Sequence, residues 1–251
     1  MRPEQLGLPS TARACLFDLD GVLTDTASVH AAAWQQTFDE LLRARAGVTG
    51  EPFVPFDIGD DYARYVDGKP RDDGTRSFLA ARGIRLPEGD ERDPPAAETI
   101  HGVGNRKNEL LKQHLQRGKV AAYDGSVRYV RAAREAGLRT AVVSSSKNCR
   151  EVLVAAGIAD LFDARIDGVV AEAQQLAGKP APDTYLAAAR ALAVEPAQAV
   201  VFEDALAGVE AGRAGRFGFV VGVDRVGHAV ELCRHGAHVV VNDLAALLET
   251  T

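Results

Sequence analysis

Arg13-Ala-Cys-Leu-Phe-Asp18-Leu-Asp20-Gly21-Val-Leu-Thr-Asp-Thr26 is the stretch on which the reading of this chain turns. From Ala14 to Leu19 the sequence is a short apolar run that ends in Asp18 and Asp20, with Gly21 directly behind. Such a run is too short to span a membrane and reads as a buried strand. Side chains two apart on a strand share a face, so Asp18 and Asp20 are expected side by side where the strand ends and the glycine turns the backbone. Two carboxylates there repel unless a cation or a proton shares the site. The pair suits Mg²⁺, which takes oxygen ligands and is commonly held by one or two carboxylates plus substrate phosphate. Taken alone, the three residues also read as an exposed pair of acids at a strand end, because short motifs match by chance.

A chain of 251 residues is long enough for one large domain or two modest ones. It is 46% hydrophobic and 25% charged, which is ordinary for a globular protein. Its formal net charge of −6 argues against broad nucleic-acid binding, which needs a basic footprint. The three cysteines, Cys15, Cys149 and Cys233, form no CxxC and fit a reducing cytoplasm. Cys15 lies on the buried strand and reads as a core residue. The N-terminal residues lack a signal peptide's apolar centre, and neither repeats nor low-complexity tracts are present.

Beyond Thr26 the apolar period changes from two to about 3.6, with Val29, Ala33, Phe38, Leu41 and Leu42 on one helical face to about Ala46. Asp25 or Thr26 is placed to cap it. His30 shares a face with Thr26, and that face begins next to the carboxylate pair; a lone histidine there is equally a surface or core residue. Asp60 to Val66 reads as a short helix, and Asp67-Gly-Lys-Pro-Arg-Asp-Asp-Gly74 as a polar, solvated loop. A helix over Thr75–Arg82 closed by Gly83 follows, then a polar loop, then a helix from about Ala96 to Gln116 stopped by Gly118. The cluster Asn105-Arg-Lys-Asn108 on it either meets an anion or faces water. His101-Gly-Val-Gly104 lacks a third glycine and a preceding strand, so it is not a nucleotide-binding loop.

After this strand-poor block, strand and helix alternate. Strands are expected at Arg139–Val143, Ala164–Ile166, Ala199–Phe202, Phe217–Val221 and, at an edge, His238–Val241. Helices are expected at Ser126–Ala136, Arg150–Ala156, Asp183–Leu192, Ala205–Arg213 and Leu244–Glu249. Alternation of this kind implies βα units around a parallel sheet with helices on both faces, a Rossmann-like doubly wound α/β core. The helical block, residues 27–116, is then a cap inserted after the first strand of a discontinuous core formed by residues 1–26 and 117–251.

In open α/β sheets ligands bind beyond the carboxyl ends of the strands. Three of those ends carry unusual polar residues: Asp18 with Asp20, Ser144-Ser145-Ser146, and Glu203 with Asp204. Lys179, in Gly178-Lys-Pro-Ala-Pro-Asp183, leads to the same edge. Each has a bland alternative: turn-forming serines, a helix cap, a solvated lysine. Together they make a phosphoryl-transfer site. Asp18 is the candidate nucleophile and Asp20 the general acid/base. Mg²⁺ would neutralise charge between Asp18, the phosphoryl oxygens and Asp204, with Glu203 nearby. Ser144 and the backbone N–H groups around it, Ser145 among them, would hold phosphoryl oxygens, and Lys179 would act as a point cation.

Phe17-Asp-Leu-Asp-Gly-Val22, Ser144, Lys179-Pro180 and Glu203-Asp204 resemble the four ordered motifs of the haloacid dehalogenase-like superfamily, and Asp20 is the aspartate its phosphoryl-transferring members carry. Within it, Asp18 to Thr26, His30, Trp34, Ser144 to Asn148 and Gly178 to Asp183 resemble the β-phosphoglucomutase family. That resemblance implies conversion of β-D-glucose 1-phosphate to glucose 6-phosphate through an aspartyl phosphate and β-glucose 1,6-bisphosphate. It implies that Thr26 and His30 position Asp20 as the cap closes, that Asp20 reaches the metal through its backbone carbonyl, and that Gly68 and Arg71 match a cap loop whose arginine grips the distal phosphate. Lys107 matches a cap lysine that contacts the sugar phosphate, and Lys147 and Asn148 bind on the core side. The expected partner is a small-molecule sugar phosphate, with no nucleic acid, no membrane and no obligate protein partner. A Mg²⁺-dependent sugar-phosphate phosphatase of the same superfamily is the alternative. The chain departs from the family at Asp67, where a lysine is usual, and at Ala205, often a serine.

Overall fold

The computed structural model describes residues 2–117 and 120–248. Two of the expected boundaries, Gly118 as a helix stop and Glu249 as the last residue of a terminal helix, lie outside the described residues. The chain divides into two compact units, Met1–Asp25 with Val120–Thr251, and Thr26–Lys119.

The first unit begins with β1, Ala14–Phe17. In the second unit α1 covers Ala27–Thr49, α2 Arg71–Ala81 and α3 Ile100–Arg117. The chain then returns to the first unit through α4 (Asp124–Glu135), β2 (Arg139–Val143), α5 (Cys149–Ala155), β3 (Ala164–Ile166) and α6 (Gly168–Ala173). It continues with α7 (Asp183–Ala191), β4 (Ala199–Glu203), α8 (Leu206–Ala214), β5 (Phe219–Val223), α9 (Ala229–His235) and β6 (Val239–Val241). The terminal helix expected from Leu244 is a 3₁₀ helix, Leu244–Leu248.

The six strands are all parallel, in the order β3-β2-β1-β4-β5-β6. Period-two alternation explains why both faces are covered. Ala14 and Leu16 of β1 join Ala141, Val143 and Val201 in a core closed by Tyr185 of α7 and Val209 of α8. Phe17 points the other way, stacking on Phe202 at 4.5 Å and meeting Tyr129 of α4 edge-on at 6.4 Å. A central strand buried on both faces must be apolar at every position, and the sequence of β1 is so. Its Cys15 is fully buried, which pushes the thiol pKa up and leaves it inert.

The second unit has its own core. Trp34, Phe38, Phe56 and Phe78 cluster with Leu41, Val66, Leu79, Ile100 and Val103, and Phe38 lies 4.1 Å from Phe78 between ring centroids. Asp39 is buried in that core and accepts from the backbone N–H of Phe56 at 2.8 Å, which satisfies both groups. Two expectations are corrected. The polar loop expected to run to Gly74 ends at Pro70, because Arg71–Gly74 form the first turn of α2, with Asp72 and Asp73 favourably placed at its positive end. The short helix expected over Asp60–Val66 is present, with its Tyr62–Val66 part in π geometry. The helices α6 and α9 add to the expected set; each is under three turns and too short to show a period.

Candidate active site

The order of the strands puts β1 between β2 and β4, so three loops meet at one edge of the sheet. Asp18 follows directly on β1, and its N–H donates to Phe202 O of β4 at 2.9 Å. Glu203 closes β4 and Asp204 follows it. In a sheet of this order the crevice where the connections diverge lies beside β1. The strand ends at Phe17, and Leu19 is in a bend, so strict alternation stops before the two aspartates. They are close nonetheless: the charge of Asp20 is one of those that push the Asp18 carboxyl up.

Lys179 is the centre of this edge. Its side chain is 1% exposed, and Nζ lies 2.5 Å from both Asp18 Oδ1 and Glu203 Oε1 and donates to Val143 O at 3.3 Å. Glu203 is wholly buried; Tyr185 O–H donates to Oε1 at 2.9 Å and the N–H of Ala205 to Oε2 at 3.1 Å. Burial alone would discharge the lysine, but the two carboxylates outweigh it and hold its pKa above the ordinary lysine range. Asp18 is held well above the ordinary carboxylate range: burial is the largest cause, Lys179 opposes it, and Glu203 and Asp20 add to it. Lys179 is shared between Asp18 and Glu203, and burial with the neighbouring acids favours the uncharged form of Asp18 unless a further cation joins them.

The cluster fits a divalent cation. Oxygens of Asp18, Glu203 and Asp204 lie within 4.8 Å of one another, and Mg²⁺ ligated at about 2.0–2.1 Å spaces opposite oxygens by about 4 Å. Both Glu203 oxygens already accept hydrogen bonds, which leaves Asp18 and Asp204 as the better carboxylate donors and Glu203 as the anchor of Lys179. Two glycines make room. Gly21 has φ +81, and a Cβ there would overlap Asp204 Oδ2; a Cβ on Gly208 of α8 would overlap Glu203 Oε1. Only residues without a side chain let these carboxylates sit where they do.

Ser144 is buried at the end of β2, its N–H bonded to Ile166 O at 3.0 Å and its Oγ accepting from Ser146 N–H at 3.1 Å. Ser145 is half-buried in the same turn. Asn148 precedes α5, its N–H bonded to Ser146 Oγ at 3.1 Å. Lys147 pairs with Glu172 of α6 at 2.8 Å, both side chains being 45% exposed.

In the second unit Thr26 stands at the N-terminal boundary of α1 without a side-chain cap, and Gly68 takes φ +70 before α2. Lys107 of α3 is buried, 3.1 Å from His30 Nδ1 of α1 and 5.0 Å from the centre of the Trp34 ring. Arg71 Nε lies 3.5 Å from Asp72 Oδ1, and Asp72 Oδ2 lies 3.1 Å from His101 Nδ1. Arg71 Nε, Asp72 Oδ1 and His101 Nδ1 are buried without a hydrogen bond. Spacing carries no sign of Asp72, His101 or Tyr185 as members of these groups, because each is joined to its neighbours by tertiary packing.

Fold and site define the class. The family model for haloacid dehalogenase-like hydrolases matches residues 12–216, and the chain belongs to that family. The β-phosphoglucomutase of Mycobacterium bovis is 56% identical to it over 251 residues, 99% of this chain and 96% of that protein. The β-phosphoglucomutase of Bacillus subtilis is 31% identical over 211 residues, 84% of this chain and 83% of that protein. The crystal structure of the β-phosphoglucomutase of Clostridium difficile matches with a TM-score of 0.72 at 25% identity, over 94% of this chain and 93% of that one. Within its family the chain is a β-phosphoglucomutase-like phosphotransferase of the isomerase class. Among the described residues no helix is long and apolar enough to cross a membrane.

Proposed function

We propose that this chain converts β-D-glucose 1-phosphate to glucose 6-phosphate, with Asp18 carrying the phosphoryl group between turnovers. The observation that carries the reading is the setting of Asp18: a buried carboxylate at a strand end, braced on Lys179 at 2.5 Å, with Glu203, Asp204 and Asp20 around it. Phosphorylated Asp18 gives its phosphoryl to the sugar's 6-hydroxyl, and Asp20 takes the hydroxyl proton as general base. The resulting β-glucose 1,6-bisphosphate turns end for end. Asp18 then attacks the phosphorus at C1, Asp20 returns its proton to the departing C1 oxygen, and glucose 6-phosphate leaves with the enzyme phosphorylated again. Lys179 holds the Asp18 carboxylate in place and offsets charge on the transferring group.

Mg²⁺ held by Asp18 and Asp204 would supply further neutralisation of the phosphoryl oxygens. Ser144, Ser145 and the N–H groups of their turn hold those oxygens, and Lys147 and Asn148 bind sugar phosphate on the core side. In this reading Arg71, which follows Gly68 at the start of α2, grips the non-reacting phosphate together with Lys107 and Asn148. Thr26 and His30 position Asp20, and transfer to a sugar hydroxyl requires that water be excluded. Lys107, already ordered against His30 and Trp34, supports that assignment.

Incubation with Mg²⁺, β-D-glucose 1-phosphate and a trace of the 1,6-bisphosphate tests it. Glucose 6-phosphate is the expected product. Free phosphate without glucose 6-phosphate would replace this reading with a phosphatase that uses the same core.

A further inference from the structure

Arg225, in the loop after β5, belongs to none of the motifs above, yet it reaches the backbone of the loop that carries Asp20. Its Nε donates to the carbonyl of Gly21 at 3.1 Å. Its Nη1 donates to Asn242 O at 2.6 Å and pairs with Asp243 Oδ2 at 3.0 Å. The guanidinium lies 3.8 Å over the ring of Tyr123. Asp243 and Tyr123 are themselves fixed. Asp243 Oδ1 accepts from Ala245 N–H at 2.8 Å, and Tyr123 N–H donates to Leu23 O at 3.0 Å while its O–H donates to Asp25 Oδ1 at 3.1 Å.

Gly21 is thereby held on three sides. Its N–H donates to Thr24 O at 2.8 Å, its Cα lies against Asp204 with no room for a side chain, and its carbonyl is taken by Arg225. Asp20 is the residue directly before it. Whatever fixes Gly21 therefore fixes the reach from Asp20 to Asp18 and Asp204. A guanidinium suits this role. It is planar and always charged, and its separate N–H groups serve a carbonyl on one edge and an anchor on another while its face stacks on a ring.

We infer that Arg225 is a positioning residue for the phosphoryl-transfer step: it ties the loop carrying Asp20 and Gly21 to the segment after β6 and so sets the acid/base against the nucleophile. The inference rests on the phosphoryl-transfer reading of Asp18 and Asp20. It requires that loss of Arg225 slow the chemical step and leave substrate binding alone, because Arg225 touches the loop and not the grip on phosphate.

The experiment compares wild type, Arg225→Met, Arg225→Lys and Asp18→Asn, with thermal melts and mutase assays run well below each melting temperature. Misplacing a reacting group by about 1 Å costs on the order of 10²-fold in rate, so kcat of Arg225→Met is expected to fall by roughly that factor with KM within about twofold. Arg225→Lys is expected to show a similar loss, since one ammonium cannot serve Gly21 O and Asn242 O together while stacked on Tyr123. It also carries the test if Arg225→Met does not fold. Full kcat in a folded Arg225 variant, or complete rescue by lysine, overturns the inference while a dead Asp18→Asn leaves the phosphoryl-transfer reading standing. An active Asp18→Asn overturns that reading and this inference with it.

Discussion

Two charged clusters, one in each unit, are held differently. At the carboxyl edge of the sheet, Lys179 meets two carboxylates at 2.5 Å and a carbonyl at 3.3 Å, and Glu203 is hydrogen-bonded through both oxygens. In the second unit, Arg71 and His101 each lie within ion-pair distance of Asp72, but one polar atom of each of the three is buried without a hydrogen bond. A buried pair is tolerated when its remaining donors and acceptors are satisfied. The sheet edge meets that condition within the protein and is organised before any substrate arrives. The Arg71 cluster does not, a condition that agrees with the proposed use of Arg71 on a substrate phosphate.

The largest effect that would break this contrast is at the nucleophile. Asp18→Asn keeps the shape of the edge and removes the attacking charge, so turnover should drop by about 10⁴-fold or more, as removal of a covalent nucleophile does elsewhere. Steady-state assays with glucose 6-phosphate as readout check it; residual turnover near wild type would show that the edge is structural. Next is Lys179→Met. It leaves Asp18 and Glu203 buried without their cation, which costs about 3–5 kcal/mol, or on the order of 10 °C in melting temperature for a chain of this size. An unchanged melt would mean that the three-way pairing does not bear on stability. Combined with Asp18→Asn, the same substitution should cost clearly less, because one of the two stranded charges is gone.

A smaller effect sharpens the other side of the contrast. Arg71→Ala should cut mutase turnover by roughly 10–100-fold, the equivalent of a charged hydrogen bond worth about 1.5–3 kcal/mol. Slow hydrolysis of a small phosphate with no second phosphoryl group should be unaffected. If both activities fall together, Arg71 holds the fold of the second unit and not a distal phosphate.

These two regions are unequally legible in the sequence, for a physical reason. Asp18, Ser144, Glu203 and Asp204 stand out because a parallel sheet forces chemistry to the carboxyl ends of its strands, and strand ends can be read from apolar runs that stop at polar residues. The run Arg139–Val143 coincides with β2 to the residue. The run Phe217–Val221 begins two residues before β5, because Phe217 and Gly218 extend the apolar signal into the preceding turn. Nothing in spacing joins His30 to Lys107, which are on separate helices; family resemblance, not periodicity, names them. Arg71 reads as part of a loop because Pro70 and Gly74 mark breaks. In the fold Pro70 directly precedes the first turn, as its fixed φ allows, and Gly74 packs against Val66, where a side chain would be crowded. Arg225 and Tyr185 give no signal at all, since their roles arise from what lies across the sheet.

The smallest effect expected is on stability and not on rate, and it tests whether the ionised form of Asp18 is held at a cost in the sheet edge. The Asp18 carboxyl is held above its ordinary value of 3.8, with burial as the chief cause. A group whose pKa is raised by folding takes up a proton on folding. Its contribution is therefore complete below the unfolded value and is lost as pH rises through the folded one. In the chelated protein, as pH rises above that ordinary value, wild type should lose stability relative to Asp18→Asn, which cannot ionise there. Mg²⁺ should shrink the gap between the two proteins by stabilising the ionised carboxylate. Urea midpoints at fixed slope, with and without chelator, measure both. Parallel pH curves for the two proteins in chelator would show that Lys179 keeps Asp18 ionised in spite of its burial.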